Sequence, residues 1–464
     1  MPNLRTARLS HFPTRGPSPR PRHRQIGTPE LFLGLSVWGA GFTANAFRPP
    51  KIQFLSVPTF AAGWLTSELP IHHLAWQALA TAGFVAEGAL DEPAGWVGLG
   101  ITAASWAGLV ALAIQGHQAG AVLDEALVEG LGPEYRQRTA QELAAGAAGA
   151  ASARRRETLR QLAFAFHLRD QRVESIPDIP YLPDGGRAHR LDIYRPRDVA
   201  PGARRPVLLY IHGGAWVLGD KREQGLPLML HLAAKGWVCV TANYRLSPKA
   251  TFPDHLVDVK RALAWVKEHI GQYGGDPTFV AVAGGSAGGH LAALTALTPN
   301  EPEYQPGFEE VDTSVDACVP LYGVYDFTNR YNQWDPGFER FLLARSVMKV
   351  RMAEDPDAYE RASPMSRITE AAPPFFVIHG RNDRLVPVEE ARHFVDLMRE
   401  RSKAPVVYAE LPGAQHAFEI FHSLRTSHAV DAIGRFLTAV YADREVGDGE
   451  APAEMAGTRL APRA

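Results

Sequence analysis

Cysteine is nearly missing: Cys239 and Cys318 are the only two in 464 residues, too few for a disulfide framework or a cysteine-based zinc ribbon. Both stand in apolar runs, WVCVTANY and ACVPLYGV, where a thiol packs as a small core hydrophobe. Net charge is also missing. With 48 Lys+Arg against 50 Asp+Glu, a balance of −2, no basic field points to nucleic acid. There is no H-E-x-x-H, EF-hand or P-loop pattern, so neither a metal nor an organic cofactor is expected. A third scarcity is local: residues 31–47, 52–67, 69–86 and 93–123 carry no Asp, Glu, Lys or Arg.

A bilayer core requires about 20 mostly apolar helical residues. The stretch 93–123, centred on 96–114, meets this easily, whereas 69–86 is marginal because it holds His72, His73 and Gln77. The two earlier stretches are short and rich in Gly or Pro, and suit the interface or packing on the others. Five of the nine Trp fall in the first 120 residues, and aromatics near helix ends favour a membrane over a soluble cap. A hairpin of 69–86 and 96–114 would leave Glu87, Asp91 and Glu92 on one side and the basic residues on the other. The positive-inside rule then predicts a membrane-anchored chain whose remainder lies on the cytoplasmic side, and a third span would reverse that.

The expected organisation is a disordered basic arm at 1–30 with six Arg, hydrophobic membrane-associated helices at 31–123, and a linker or helical segment at 124–174. An α/β domain at 175–441 and a disordered acidic tail at 442–464 complete it. In the third segment, 139–153 is rich in Ala and Gly.

From about 175 the pattern alternates. HRLDIYRP, VLLYIHGG, WVCVTANYRL, TFVAVAGGS, ACVPLYGVYD, PFFVIHGRND and VVYAELPGAQH read as strands, with amphipathic segments between them. In one of those segments Leu256, Val259, Leu263, Val266 and Ile270 recur at helical spacing. Strand and helix alternating in this way predict an open, mostly parallel, doubly wound sheet.

Gly284-Gly285-Ser286-Ala287-Gly288 matches G-x-S-x-G at the junction of a strand and a helix, the context in which a serine is held on a sharp turn as a nucleophile. The hydroxyl needs a base, and the base needs an acid to orient it. On this architecture the order is Ser, acid, His, which selects Asp383 and His416, each just past a strand. Glu410 and Glu419 lie on the wrong side of a turn to replace Asp383. The loop His212-Gly213-Gly214-Ala215-Trp216 follows another strand and resembles the HGGG loop that supplies oxyanion amides, with Ala287 giving the remaining donor. His212 is expected to fix its own loop, His290 to pack, and Asp254 and Asp258 to be structural. A helical insert around FERFLLARSVMKVRM either caps the nucleophile or packs on the core.

HGGAW, NYRLSPKATFPDHLVDVKRALAW and GGSAGGH, in that order, resemble the hormone-sensitive-lipase-like branch of the α/β hydrolases, over about residues 175–441. More closely they resemble the membrane-anchored carboxylesterases of actinobacteria. The resemblance implies an α/β-hydrolase fold, a Ser286-Asp383-His416 triad, and Gly213, Gly214 and Ala287 as oxyanion donors. It further implies hydrolysis of a small-molecule or lipid carboxylic ester through an acyl-enzyme. A lipase on longer chains, or an arylformamidase or amidase, are alternatives, since similar motifs occur in formamidases and prenylcysteine methylesterases. A non-catalytic scaffold is a third reading, disfavoured by the complete triad order. Two positions depart from the family pattern: Ala215 stands where a third glycine is common, and Gly285 where an acid is. The alanine is harmless to a backbone donor if its φ is negative.

Overall fold

The computed structural model describes residues 27–50, 56–136, 160–200 and 202–447. Of the arm expected at 1–30 and the tail expected at 442–464, residues 1–26 and 448–464 lie outside the described residues, as does the Ala/Gly stretch 139–153. Helices Thr28–Phe47 and Leu424–Gly447 take up part of the rest, because their apolar faces pack on neighbouring helices and the sheet.

Four helices come first: α1 (Thr28–Phe47), α2 (Ser56–Glu68), α3 (Pro70–Ala86) and α4 (Pro93–Leu131). Proline in the first turn of α1, α3 and α4 removes an amide that would have no helical partner. α1 and α4 run side by side in the same direction. The Thr102 hydroxyl donates to Ser36 Oγ at 2.9 Å, and Thr43 and Ser105 hydroxyls meet at 2.8 Å. Gly98 and Gly108 permit the approach: a Cβ on Gly108 would lie 2.6 Å from Thr43. α3 returns alongside, its Phe84 ring 5.6 Å from that of Phe32 at the start of α1. The hairpin expected from the sequence is therefore joined by a third helix.

α4 does not stop near residue 123. It continues to Leu131, and Ala119, Leu123, Ala126 and Leu127 pack in the core of the following domain. The boundary drawn at 123/124 thus falls inside one continuous helix, because the apolar face passes without a break from the bundle to that core.

That domain is an eight-stranded sheet, β1 (Val173–Pro180), β2 (Arg190–Pro196), β3 (Arg205–Ile211), β4 (Val238–Ala242), β5 (Gly275–Gly285), β6 (Ala317–Leu321), β7 (Phe375–Gly380) and β8 (Val406–Leu411). The spatial order is β1-β2-β4-β3-β5-β6-β7-β8. The pairs β1–β2 and β2–β4 are antiparallel, and the other five are parallel. β3 to β6 are buried along nearly their whole length, which is why they read as unbroken apolar runs. β1 is the strand the sequence reading missed. It holds Pro177 and Pro180 and a register shift, features that only an edge strand tolerates.

Helices α5 (Leu226–Ala234) and α10 (Leu424–Gly447) cover one face with the end of α4; α6 (Asp254–His269), α7 (Ala287–Leu297) and α9 (Val388–Arg401) cover the other. This is the α/β-hydrolase fold. A short helix α8 (Pro356–Arg361) follows the insert. The insert itself holds a π-helix, Phe338–Val347, with Leu343 and Val347 buried in the core and Phe341 exposed.

Candidate active site

Ser286 sits at the turn between β5 and α7 with φ 56° and ψ −121°, a left-handed conformation that costs a serine on the order of 1–3 kcal/mol. The flanking glycines have a steric cause. A Cβ on Gly284 would lie 2.4 Å from the Gly288 carbonyl oxygen, and one on Gly288 would lie 2.1 Å from the Ile211 oxygen. The Ser286 amide donates to the Leu321 carbonyl at 2.9 Å, tying the turn to β6.

Asp383 follows β7 and is buried. Its Oδ1 accepts the amides of Leu385 and Val386 at 2.8 and 2.9 Å. Its Oδ2 lies 2.6 Å from His416 Nδ1 and 3.3 Å from His379 Nε2. Burial works to raise the Asp383 carboxyl, but the two imidazoles and their hydrogen bonds outweigh it and hold the group well below the ordinary carboxylate range. Asp383 and His416 are thus brought together. Among the described residues no hydrogen bond joins Ser286 Oγ to His416, a common state for a site without substrate.

Tyr322 packs on the histidine. Its ring lies 4.5 Å from the His416 imidazole, and its hydroxyl donates to Glu419 at 2.6–2.7 Å. Tyr210 donates to the same carboxyl at 3.3 Å. Burial raises the Glu419 carboxyl despite the two phenols that stabilise its charge. From the bundle, the Phe60 ring of α2 reaches the imidazole edge-on at a centroid distance of 6.1 Å.

The loop after β3 corrects two expectations. The Gly213 amide donates to the Gln224 side chain at 2.7 Å, so of the three expected oxyanion donors it is already engaged, which leaves Gly214 and Ala287. Ala215 has φ 51° and Trp216 φ 62°, so the condition under which an alanine would be harmless is not met. The loop holds both residues in left-handed geometry, where a Cβ costs roughly 1–2 kcal/mol. His212 does fix its own loop: Nδ1 lies 2.8 Å from the Gly213 oxygen, and the ring stacks on Tyr244 at 4.5 Å. Burial drives its pKa down to about 4, so it is neutral. His290 is a packing residue between Trp216 Nε1 and the Ala362 carbonyl. Asp258 is buried against Arg245 and His189, and Asp254 lies beside Arg245.

Sequence reasoning missed Gln224, Tyr322 and Phe60, and weighed Glu419 only as a replacement for Asp383. None belongs to a local motif. Tyr322 offered the one signal, an aromatic inside the run ACVPLYGVYD read as a strand, although the strand itself ends at Leu321.

Residues 191–398 match the BD-FAE family model, a range that holds Ser286 and Asp383 and ends before His416. Over 432 residues the chain is 47% identical to the probable carboxylic ester hydrolase LipM of Mycobacterium tuberculosis, covering 93% of this chain and 97% of that one. Esterase LipQ of the same organism is 41% identical over 83% of this chain and 85% of its own. The inhibited esterase B of Lactobacillus rhamnosis superposes with a TM-score of 0.52 at 20% identity, over 67% of this chain and 100% of that chain, a likeness of fold.

Proposed function

The chain belongs to the hormone-sensitive-lipase-like esterases and hydrolyses carboxylic esters, and we propose that Ser286, Asp383 and His416 carry out the reaction. His416 takes the Ser286 proton as Oγ attacks the ester carbonyl. Asp383 holds the imidazole through Nδ1 and stabilises its cation. The amides of Gly214 and Ala287 receive the oxyanion. The alcohol leaves with the proton from His416, and water then releases the acid from Ser286 by the same steps. One observation carries this reading: the 2.6 Å contact of His416 Nδ1 with a buried, ionised Asp383. The strained turn that holds Ser286 supports it.

Hydrolysis of p-nitrophenyl esters from acetate to palmitate by wild type and Ser286→Ala tests it. Loss of turnover with the fold intact is expected, and near-full activity of the variant would overturn the assignment. A lipase acting on long-chain esters is the second reading, favoured by the apolar bundle, and activity peaking at palmitate would select it.

We propose further that α1, α3 and α4 lie in a bilayer. α4 is long and apolar enough to cross one. The bundle buries hydroxyl side chains between its helices, beside Phe32, Leu109 and Leu112, and is apolar outside. Ser36, Thr43, Thr102 and Ser105 are buried between helices, while Trp38, Leu79, Trp96 and Ile114 face outward, the arrangement that suits lipid. With α1 parallel to α4, α1 begins at the end of the bundle far from the hydrolase domain, and in chain order the arginines of the sequence fall both before α1 and after α4. Basic residues then divide between both ends, and the charge argument for a cytoplasmic hydrolase domain no longer selects a side. Retention in the membrane pellet after an alkaline carbonate wash is the expected outcome; release into the supernatant would contradict the anchor.

A further inference from the structure

Helix α2 connects the bundle to the loop that carries His416. Trp64 Nε1 donates to the Ala417 carbonyl at 2.8 Å. At the end of the helix, Glu68 forms a buried ion pair with Arg425 and accepts the Ser423 hydroxyl at 3.0 Å. On its other side Asn45 of α1 donates to the Thr59 carbonyl at 2.7 Å. Gly63 has no side chain where one would press on Gln415, the residue before His416. α2 is therefore tied to the histidine loop and the start of α10 by its C-terminal half, and to α1 by its N-terminal half.

Its aromatic face meets the imidazole. Phe60 is half-buried and edge-on to His416, Trp64 stacks on Phe60 at 5.5 Å, and Phe421 backs Trp64 at 5.1 Å. Tyr322 takes a second side of the ring, and Asp383 holds Nδ1. Nε2 is the nitrogen left for substrate. When the tetrahedral intermediate collapses, the carbon–oxygen bond to the alcohol breaks and Nε2 gives its proton to the departing oxygen. The leaving oxygen must then lie within a hydrogen bond of Nε2, with the first carbons of the alcohol in the space around the ring that Phe60 borders. The acyl carbon stays bonded to Ser286.

We infer that α2 forms the leaving-group wall of the active site, with Phe60 as the specificity-determining residue, and that the enzyme selects esters by an apolar alcohol portion. The inference rests on the reading of His416 as the proton carrier. The aromatic residues of this wall carry no charge, so an alkyl or aromatic alcohol gains apolar contact there and a charged one does not.

The test uses the full-length protein and two ester series, acetates of methyl, butyl and octyl alcohol, and methyl esters from acetate to octanoate. In wild type kcat/KM should rise several-fold from methyl to octyl acetate. Phe60→Ala should lower the octyl-to-methyl ratio by about tenfold and leave the acyl series within about twofold. Phe60→Leu, which keeps apolar bulk, should retain most of the preference and guards against a folding defect in the alanine variant. An unchanged alcohol ratio in both variants, or an equal loss on both series, would overturn the inference. Ser286→Ala run in parallel separates the two readings. If it abolishes hydrolysis while the Phe60 variants keep the wild-type alcohol ratio, the wall is wrong and the triad stands. If it does not, the triad is wrong.

Discussion

The Tyr322 hydroxyl occupies the space that a side chain at position 285 would need: a Cβ built on Gly285 would lie 2.5 Å from it. The acid common at that position in related enzymes has no room here. A buried carboxyl is present nevertheless, contributed by Glu419 from beyond His416 and held by the same phenol. Gly285→Asp should therefore destabilise the protein by about 1–3 kcal/mol through overpacking and reduce ester hydrolysis. Chemical denaturation measures the first effect, and wild-type stability of the variant would refute the steric reading.

Tyr322→Phe keeps the ring against His416 but removes the closer hydrogen bond to Glu419, leaving Tyr210 at 3.3 Å. Leaving a buried polar group short of a partner costs about 1–3 kcal/mol. A loss of that size in urea denaturation is expected, and an unchanged midpoint would mean that Glu419 finds a partner elsewhere.

Asp383→Asn should lower kcat by about 10⁴ with substrate binding little changed, because the imidazole loses its orienting charge. The stability effect has a definite sign. The Asp383 carboxyl is held low in the folded protein, so its ionised form contributes stability at neutral pH that is lost as pH falls through the lowered pKa. The stability gap between wild type and variant should therefore be largest above about pH 4 and shrink below it. A gap that widens in acid would contradict the assignment.

Glu390 has the opposite sign. Its Oε1 accepts the Asp326 amide at 2.7 Å and the Tyr325 amide at 2.5 Å, but burial pushes its pKa up to about 8. The folded protein keeps this proton while the unfolded chain releases it, so stability falls as pH rises from about 4.5 to 8. Glu390→Gln should flatten that part of the curve. Thermal melting of both proteins across the range provides the comparison, and parallel curves would show that Glu390 does not titrate there.

Arg425→Met strands Glu68 in a buried site. Removing one partner of such a pair costs about 3–5 kcal/mol, and because the pair fastens α2 beside the histidine loop, hydrolysis should fall with stability. Activity retained in a destabilised variant would separate the ion pair from the site.

The parts of the fold that could be read in the sequence were those with a local cause. Buried parallel strands are short apolar runs, and the turn at Ser286 needs glycines at 284 and 288 for reasons of close approach. β1 stayed hidden because an edge strand with two prolines has no such run. Ala215 misled for the reverse reason: residue identity suggested ordinary backbone, and the surrounding loop imposed φ 51°. Gln224 folds back onto Gly213 within its own loop, Tyr322 meets Glu419 from the end of a different strand, and Phe60 reaches His416 from the far end of the chain. Sequence spacing carries no trace of such contacts.

Hydrolysis by this chain turns on Ser286 as the nucleophile. Mass spectrometry of the protein after reaction with a fluorophosphonate, which traps an activated serine, addresses it most directly. A single adduct on the peptide containing Ser286, formed as ester hydrolysis is lost and absent in Asp383→Asn or His416→Ala, is the predicted result. An adduct on another residue, or full inhibition with Ser286 unmodified, would contradict it.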